Sequence, residues 1–182
     1  MSVFTGYPYS RGSIHITGPE LDDKLNFTTG FFSDAQGVDI KKHVWAYKKQ
    51  REIFRRMKTF RGELPGGHPN FAPNSSAVLV NNRSTGDIKD IIYSVEDDKV
   101  IEDWLRGHVE TTWHSMGTCK MAPREEGGVV DQRLNVYGVE GLKVVDLSIP
   151  PRNVAANTMN TAVAIAEKAA DMFIEELGLC SA

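Results

Sequence analysis

The chain has 182 residues, a length that accommodates one domain and hardly two. Its hydrophobic share of 41% and charged share of 25% are those of an ordinary globular protein, and indicate neither a disordered chain nor a membrane protein. The net charge of -3 provides no broad basic surface, so a nucleic-acid partner is disfavoured.

The cysteines and the start of the chain argue against three further classes: metal-cluster or disulfide-rich proteins, secreted proteins and membrane proteins. Cys119 and Cys180 are too few for a zinc cluster or a disulfide framework, although a single disulfide stays open, and we predict no metal site. Residues 1–8 lack the basic and apolar regions of a secretory signal, and no apolar stretch reaches the length of about 18 residues that a membrane span needs. We therefore expect an intracellular protein without a membrane span.

The first third of the chain predicts a strand followed by a helix. Residues 13–17 alternate polar and apolar side chains and indicate a half-buried strand. Residues 41–58 combine strong helix formers with apolar residues on one face, which predicts a helix. We interpret its basic residues as a solvated face, because Glu52 interrupts them and the chain is acidic overall. These basic residues are Lys41, Lys42, Lys48, Lys49, Arg51, Arg55 and Arg56.

The middle and the end of the chain predict further strands and two helices. Residues 77–80 and 88–95 are candidate strands, and residues 95–107 are a candidate helix. Residues 142–149 indicate a buried strand that two prolines end, and residues 158–177 follow the period of a helix.

His114 is the first candidate for chemistry, although a single histidine is more often a packed or surface residue. Asn157 could likewise simply cap the helix that follows it. The combination is more specific, since His114 precedes a Gly117-Thr118 pair and Asp146 follows an apolar segment.

Four segments together resemble a known family. They are residues 10–14 (SRGSI), 114–121 (HSMGTCKM), 142–150 (LKVVDLSIP) and the pair Asn157-Thr158 at the start of a helix. This set resembles the C-terminal part of the glucose-methanol-choline (GMC) family of FAD-dependent oxidoreductases, whose motif HxxGTxxM the second segment matches. Fungal alcohol oxidases are the subgroup that is most similar, on residues 47–49, 62–64, 110–114, 121–125 and 135–139.

The resemblance implies an α+β fold. We expect a mostly antiparallel sheet with packed helices, the family's substrate-binding domain, and a C-terminal strand and helix that return to the FAD-binding domain. Residues 1–112 would form the substrate-domain segment, and residues 113–182 the active-site and flavin-contacting segment. The dinucleotide-binding half of the family is expected to be absent, because the Gly-rich residues 65–68 follow no strand and lack the GxGxxG spacing.

The resemblance also implies a catalytic pair, His114 and Asn157, facing the flavin. His114 would accept the hydroxyl proton of a primary alcohol while the carbon-bound hydrogen leaves as hydride to flavin N5, which yields an aldehyde. Neutral imidazole is suited to that role near neutral pH. Asn157 would hydrogen-bond the same oxygen and hold it in line.

The remaining site residues are implied in the same way. Asp146 and Leu147 match the end of the late flavin-binding strand, and Thr158 and Met159 would place backbone groups beside the flavin pyrimidine. The dipole of the helix that starts there favours negative charge on the ligand. Trp113 matches a residue of the substrate cavity whose bulk favours small alcohols, while a core aromatic is the alternative from the residue alone.

Three accounts of the whole protein stay open. The chain is part of a flavin alcohol oxidase, which we favour, or it completes a flavoenzyme with a separate N-terminal FAD-binding half, or it is a catalytically silent interaction module that cannot bind FAD alone. The expected partners are a small alcohol and a possible second copy of the chain. The resemblance also makes the peroxisome a candidate compartment.

Overall fold

The computed structural model describes residues 3–81 and 87–179. This part of the chain forms two short strands and three α-helices, which long irregular segments connect. In chain order they are β1 (Ser13–His15), β2 (Asn26–Thr28), α1 (Val38–Arg56), α2 (Val95–His108) and α3 (Met159–Glu176). The three predicted helices are confirmed, and so is the α+β class. None of the helices in these residues is long and apolar enough to cross a membrane.

The chain folds into two compact units that alternate along the sequence. The first contains residues 3–5, 9–11, 30–81 and 87–110, and the second contains residues 6–8, 12–29 and 111–179. Helices α1 and α2 therefore belong to the first unit, and β1, β2 and α3 belong to the second. The predicted roles of residues 1–112 and 113–182 stay predictions.

A buried ion pair lies in the core of the first unit. Arg51 of α1, which is 2% exposed, donates from Nε to Glu63 Oε1 at 2.7 Å and from Nη2 to Oε2 at 2.8 Å. It also donates to the carbonyl of Ala77 at 3.1 Å, and its guanidinium lies over the rings of Tyr47 and Phe71. The interpretation of the α1 basic residues as a solvated face is therefore wrong for Arg51.

The first unit lacks the strands predicted at residues 77–80 and 88–95, among the residues described there. Side chains supply several of the hydrogen bonds that a neighbouring strand would supply, and the Glu63 N–H donates to the carbonyl of Val80 at 2.8 Å. Glu63 accepts the Val80 N–H at 2.9 Å, and Arg56 donates to the carbonyl of Ile88 at 3.2 Å. Because these backbone groups are already paired, the two apolar runs stay irregular.

The second unit contains the small sheet. β1 and β2 pair antiparallel, with Ile14 opposite Phe27, and the side chains of both strands are exposed. The predicted half-buried strand is therefore shorter than expected and exposed. Within the described residues this two-stranded ribbon is the sheet that forms, so the predicted antiparallel pairing is confirmed, whereas the strands predicted at residues 77–80, 88–95 and 142–149 do not join it.

The core of the second unit packs α3 against the loops that precede it. Val130, Leu134, Ile149 and Ala169 are buried in one cluster. Partly buried residues of α3 pack on this cluster, namely Ile165, Met172 and Phe173. Arg133 and Lys143 pair with Glu176 near the end of α3, which holds the C-terminal turn of the helix to the same loops. This packing determines where the N-terminus of α3 lies.

Residues 142–149 do not form the predicted buried strand. The first half pairs with a loop, since Val136 donates to Leu142 O at 2.9 Å, and Leu142 is itself exposed. A turn follows, in which Ile149 donates to the carbonyl of Asp146 at 3.2 Å. The chain therefore bends at Asp146, and each half of the segment pairs with a different neighbour.

Candidate functional site

The segment after His114 lies along residues 147–149. Gly117 donates to the carbonyl of Leu147 at 3.1 Å, and Cys119 donates to that of Ser148 at 2.9 Å. Gly117 has a φ of 83°, and a Cβ there would lie 3.1 Å from the carbonyl oxygen of Pro150. The left-handed backbone and this close approach explain why glycine follows the histidine at this spacing.

His114 meets the N-terminus of α3. Its Nδ1 lies 3.2 Å from Oγ1 of Thr158, the residue that precedes the first turn of the helix. The imidazole is half-buried, whereas Thr158 is only 5% exposed. No residue of the described ranges hydrogen-bonds to Nε2 of His114, so that nitrogen is available to a ligand.

Asn157 lies next to this contact in the chain and is exposed. Its Oδ1 accepts the backbone N–H of Met159 at 3.1 Å, which is the capping role that the sequence left open. The amide nitrogen remains to donate to a ligand. Among the described residues no hydrogen bond joins Asn157 to His114, and the side chain of Met159 is largely exposed.

Asp146 is an exposed carboxylate at the bend. The nearby Ser148 side chain and the Ser148 backbone N–H, which donates to Asp146 Oδ1 at 2.7 Å, hold the pKa of Asp146 below its usual value, against a smaller opposing effect of burial. The carboxylate is therefore charged at neutral pH. Leu147 beside it is half-buried and contributes its carbonyl to the bond with Gly117.

An open cleft of about 460 Å³ connects these segments. It is lined by the stretch after His114, by the bend around Asp146 and by the first turns of α3. The lining residues are Ser115, Met116, Thr118, Val145, Asp146, Leu147, Ser148 and Ala162. Of the predicted site residues, Asp146 and Leu147 line the cleft. His114 comes directly before the lining residue Ser115 in the chain, and Thr158 comes directly before α3.

Trp113 is 87% exposed, so it is not a core aromatic of the described part of this chain. Its φ of 61° is unusual for a residue with a large side chain, and its backbone N–H donates to Thr111 Oγ1 at 2.9 Å. A strained and exposed tryptophan next to His114 is consistent with a binding role, which stays a prediction.

The sequence did not predict the contact of the Thr158 side chain. It indicated backbone groups at the start of α3, because Asn157 and Thr158 are both residue types that cap helices. Which of the two caps the helix and which one points elsewhere depends on packing. The one sequence feature that could have suggested this contact is that two residues able to cap a helix, Asn157 and Thr158, stand next to each other.

Comparisons with known proteins agree with this arrangement of segments. A family model described as GMC oxidoreductase, for the C-terminal part, matches residues 8–166. The chain belongs to the GMC oxidoreductase family. The matched residues of this GMC chain include His114, Asp146, Asn157 and every residue that lines the cleft.

Individual relatives give the same family. Alcohol oxidase 1 of Komagataella phaffii is 42% identical over 98% of this chain and 34% of its own length. A fungal aryl-alcohol oxidase of known structure is 27% identical, with a TM-score of 0.63, over 94% of this chain and 24% of that chain. An FAD-dependent oxidoreductase from Chaetomium thermophilum is 26% identical, with a TM-score of 0.67, over 93% of this chain and 25% of that one.

Two facts limit the correspondence with the alcohol oxidase. This GMC chain spans about a third of the length of that relative. The alignment covers 224 positions, more than the 182 residues present here, so the relative contains residues without a counterpart in this chain.

Proposed function

We propose that this chain forms the C-terminal, active-site part of an FAD-dependent oxidoreductase that oxidises a primary alcohol to an aldehyde. The observation that carries the proposal is the contact of His114 with Thr158 at the start of α3, beside Asn157. It joins two segments that the family resemblance assigned independently to catalysis. The names of the relatives, alcohol oxidase and aryl-alcohol oxidase, support the substrate class.

The polar groups of the cleft and of the nearby helix N-terminus fit part of a flavin cofactor. The charged carboxylate of Asp146 can accept hydrogen bonds from the hydroxyl groups of a sugar or ribityl chain. Helix α3 begins without a side-chain cap from Thr158, and the positive end of its dipole favours an electron-rich ring atom. FAD, when bound, supplies the two-electron acceptor for the carbon-bound hydrogen of the alcohol.

The chain's own residues handle the hydroxyl group of the alcohol. Nε2 of His114 accepts the hydroxyl proton, and the amide nitrogen of Asn157 donates to the oxygen as negative charge develops on it. Oxidation of an alcohol to a carbonyl removes the hydroxyl proton and places negative charge on the oxygen. His114 would accept that proton, and Asn157 would donate a hydrogen bond to that oxygen. Trp113 next to His114 restricts the size of the alcohol.

His114→Ala in the complete, FAD-loaded protein tests the proposal. We expect alcohol-dependent reduction of the flavin to fall by about 100- to 10,000-fold, the usual contribution of a general base. Anaerobic stopped-flow absorbance with ethanol measures the rate. The matched control is His15→Ala, which removes an exposed histidine of β1; a normal rate in His114→Ala would overturn the base assignment.

The alternative of a silent module makes a different prediction. The intact protein would then be colourless after purification and would bind no added FAD. Intact mass and visible absorbance of the protein from its source measure both properties. Flavin absorbance that ethanol bleaches without oxygen would exclude the silent module.

A further inference from the structure

We propose that Thr158 is a positioning residue for His114, whose Oγ1 accepts the Nδ1–H of the imidazole and keeps the Nε2 lone pair open to the alcohol. The inference rests on the proposed function, because the lone pair matters only if His114 is the base. It adds a role for the Thr158 side chain, which the family resemblance used only for its backbone.

The hydroxyl of Thr158 is diverted from its ordinary task. A threonine at a helix N-cap usually accepts a hydrogen bond from an N–H of the first turn. In α3 the side chain of Thr158 makes no such bond, and Asn157 caps the Met159 N–H instead. The hydroxyl lies 3.2 Å from Nδ1 of a residue that is 44 positions away in sequence.

Both partners are held in place by their surroundings. Thr158 is buried, its β-branched side chain has few rotamers, and its carbonyl accepts the Ala162 N–H at 2.9 Å as α3 begins. On the other side, the bond from Gly117 to Leu147 holds the backbone that follows His114. A contact between two such anchored groups orients the ring, which neither backbone could do alone.

The proton balance decides which way the bond must run. A neutral imidazole carries one proton, so an Nδ1–H leaves a lone pair on Nε2. When Nε2 takes the hydroxyl proton of the alcohol, Nδ1–H remains and Thr158 Oγ1 still accepts it. A hydroxyl that donated to Nδ1 would place the proton on Nε2, and that nitrogen could not act as a base.

Two substitutions separate the hydroxyl from the shape of the side chain. Thr158→Val keeps the branched shape and removes the hydroxyl, while Thr158→Ser keeps the hydroxyl. In the FAD-loaded protein we expect Val to lower the rate of flavin reduction at saturating ethanol by about 10- to 100-fold, since misorientation of a catalytic group has effects of this size. Thr158→Ser should keep most of the wild-type rate of flavin reduction. Equal flavin content and equal melting temperature serve as controls of folding.

A second readout does not depend on turnover. Nitrogen-15 NMR of histidine-labelled, FAD-loaded protein at alkaline pH distinguishes the Nδ1–H from the Nε2–H tautomer, and His114→Gln identifies the His114 signals. We expect the Nδ1–H tautomer in the wild type and in Thr158→Ser. We expect a mixture of tautomers in Thr158→Val.

The outcomes distinguish the two proposals. A wild-type protein that ethanol reduces, together with an inactive His114→Gln and a fully active Thr158→Val, would overturn the role of Thr158 alone. An Nε2–H tautomer in the wild type would do the same. A His114→Gln protein that keeps the wild-type rate would instead overturn the proposed function, and the positioning role with it.

Discussion

Asn157 is the residue whose side-chain orientation has the clearest consequence. Because its Oδ1 accepts the Met159 N–H at 3.1 Å, the amide nitrogen is the group that remains for a substrate oxygen. In the proposed mechanism the capping bond therefore leaves Asn157 as a donor, which suits an oxygen that gains negative charge as its proton leaves.

Asn157→Asp tests this donor role. The new carboxylate can still accept the Met159 N–H, but it offers no donor and adds negative charge beside the reacting oxygen. We expect alcohol-driven flavin reduction to fall by about 100-fold or more, the loss that follows removal of one such donor. Stopped-flow reduction by ethanol measures the rate, and the melting temperature should change little. An Asp variant that is as fast as the wild type would contradict the donor role.

At the scale of elements, the ion pair between Arg51 and Glu63 joins α1 to the loop that follows it. Both side chains are buried, and the two bonds between them have the paired geometry typical of arginine and a carboxylate. Loss of one partner would leave the other charge buried without compensation. The pair therefore specifies how this loop lies on the helix.

Glu63→Gln should lower the free energy of unfolding by about 3 to 5 kcal/mol, because Arg51 then keeps an uncompensated buried charge. Chemical denaturation measures this change. Lys99→Ala is the matched control, because it removes one member of an exposed pair with Asp103 on α2 and should have almost no effect. Equal midpoints for the two variants would contradict the structural role of the buried pair.

The same pair predicts a dependence of stability on pH. Burial opposes the charge of Glu63, but the hydrogen bonds from Arg51 and from the Val80 N–H outweigh it and hold the pKa of Glu63 below its ordinary value. A lowered carboxylate pKa contributes stability above the ordinary pKa of glutamate, and this contribution is lost as the pH falls through the lowered value. Glu63→Gln should therefore flatten the acid limb of the stability curve.

At the scale of the whole molecule, apolar side chains are exposed around the predicted site and along α3. Trp113, Met159 and Val163 are each more than half exposed. Exposed apolar surface of this kind marks either an interface or an aggregation site. Since the chain spans about a third of the alcohol oxidase it matches, we propose that the N-terminal FAD-binding half of a complete protein covers this surface.

Expression of the 182-residue chain alone tests that proposal. We expect the isolated chain to bind a dye such as ANS, to melt at low temperature and to aggregate on heating. Coexpression with the N-terminal FAD-binding half should suppress all three. A cooperative melt at high temperature without FAD, and no dye binding, would contradict it.

Local signals in the sequence determined the three helices and indicated the segments of the candidate site. The helices follow from apolar periodicity and from the helix-forming residue types within each segment. The motif around His114 and the Asn157-Thr158 pair indicated the family, because their residue types and spacing are specific. Helix signals act over a few residues, and for that reason they can be read without the fold.

Tertiary structure alone decided the strands, the burial of Arg51 and the side-chain contact of Thr158. Apolar runs at residues 77–80 and 142–149 resemble strands, yet their backbone groups pair with side chains and loops from distant parts of the chain. In the sequence Arg51 is indistinguishable from the other basic residues of α1, and only the fold shows that it pairs with Glu63. His114 and Thr158 meet only because α3 packs on the loops before it, and no local pattern encodes a contact over 44 positions.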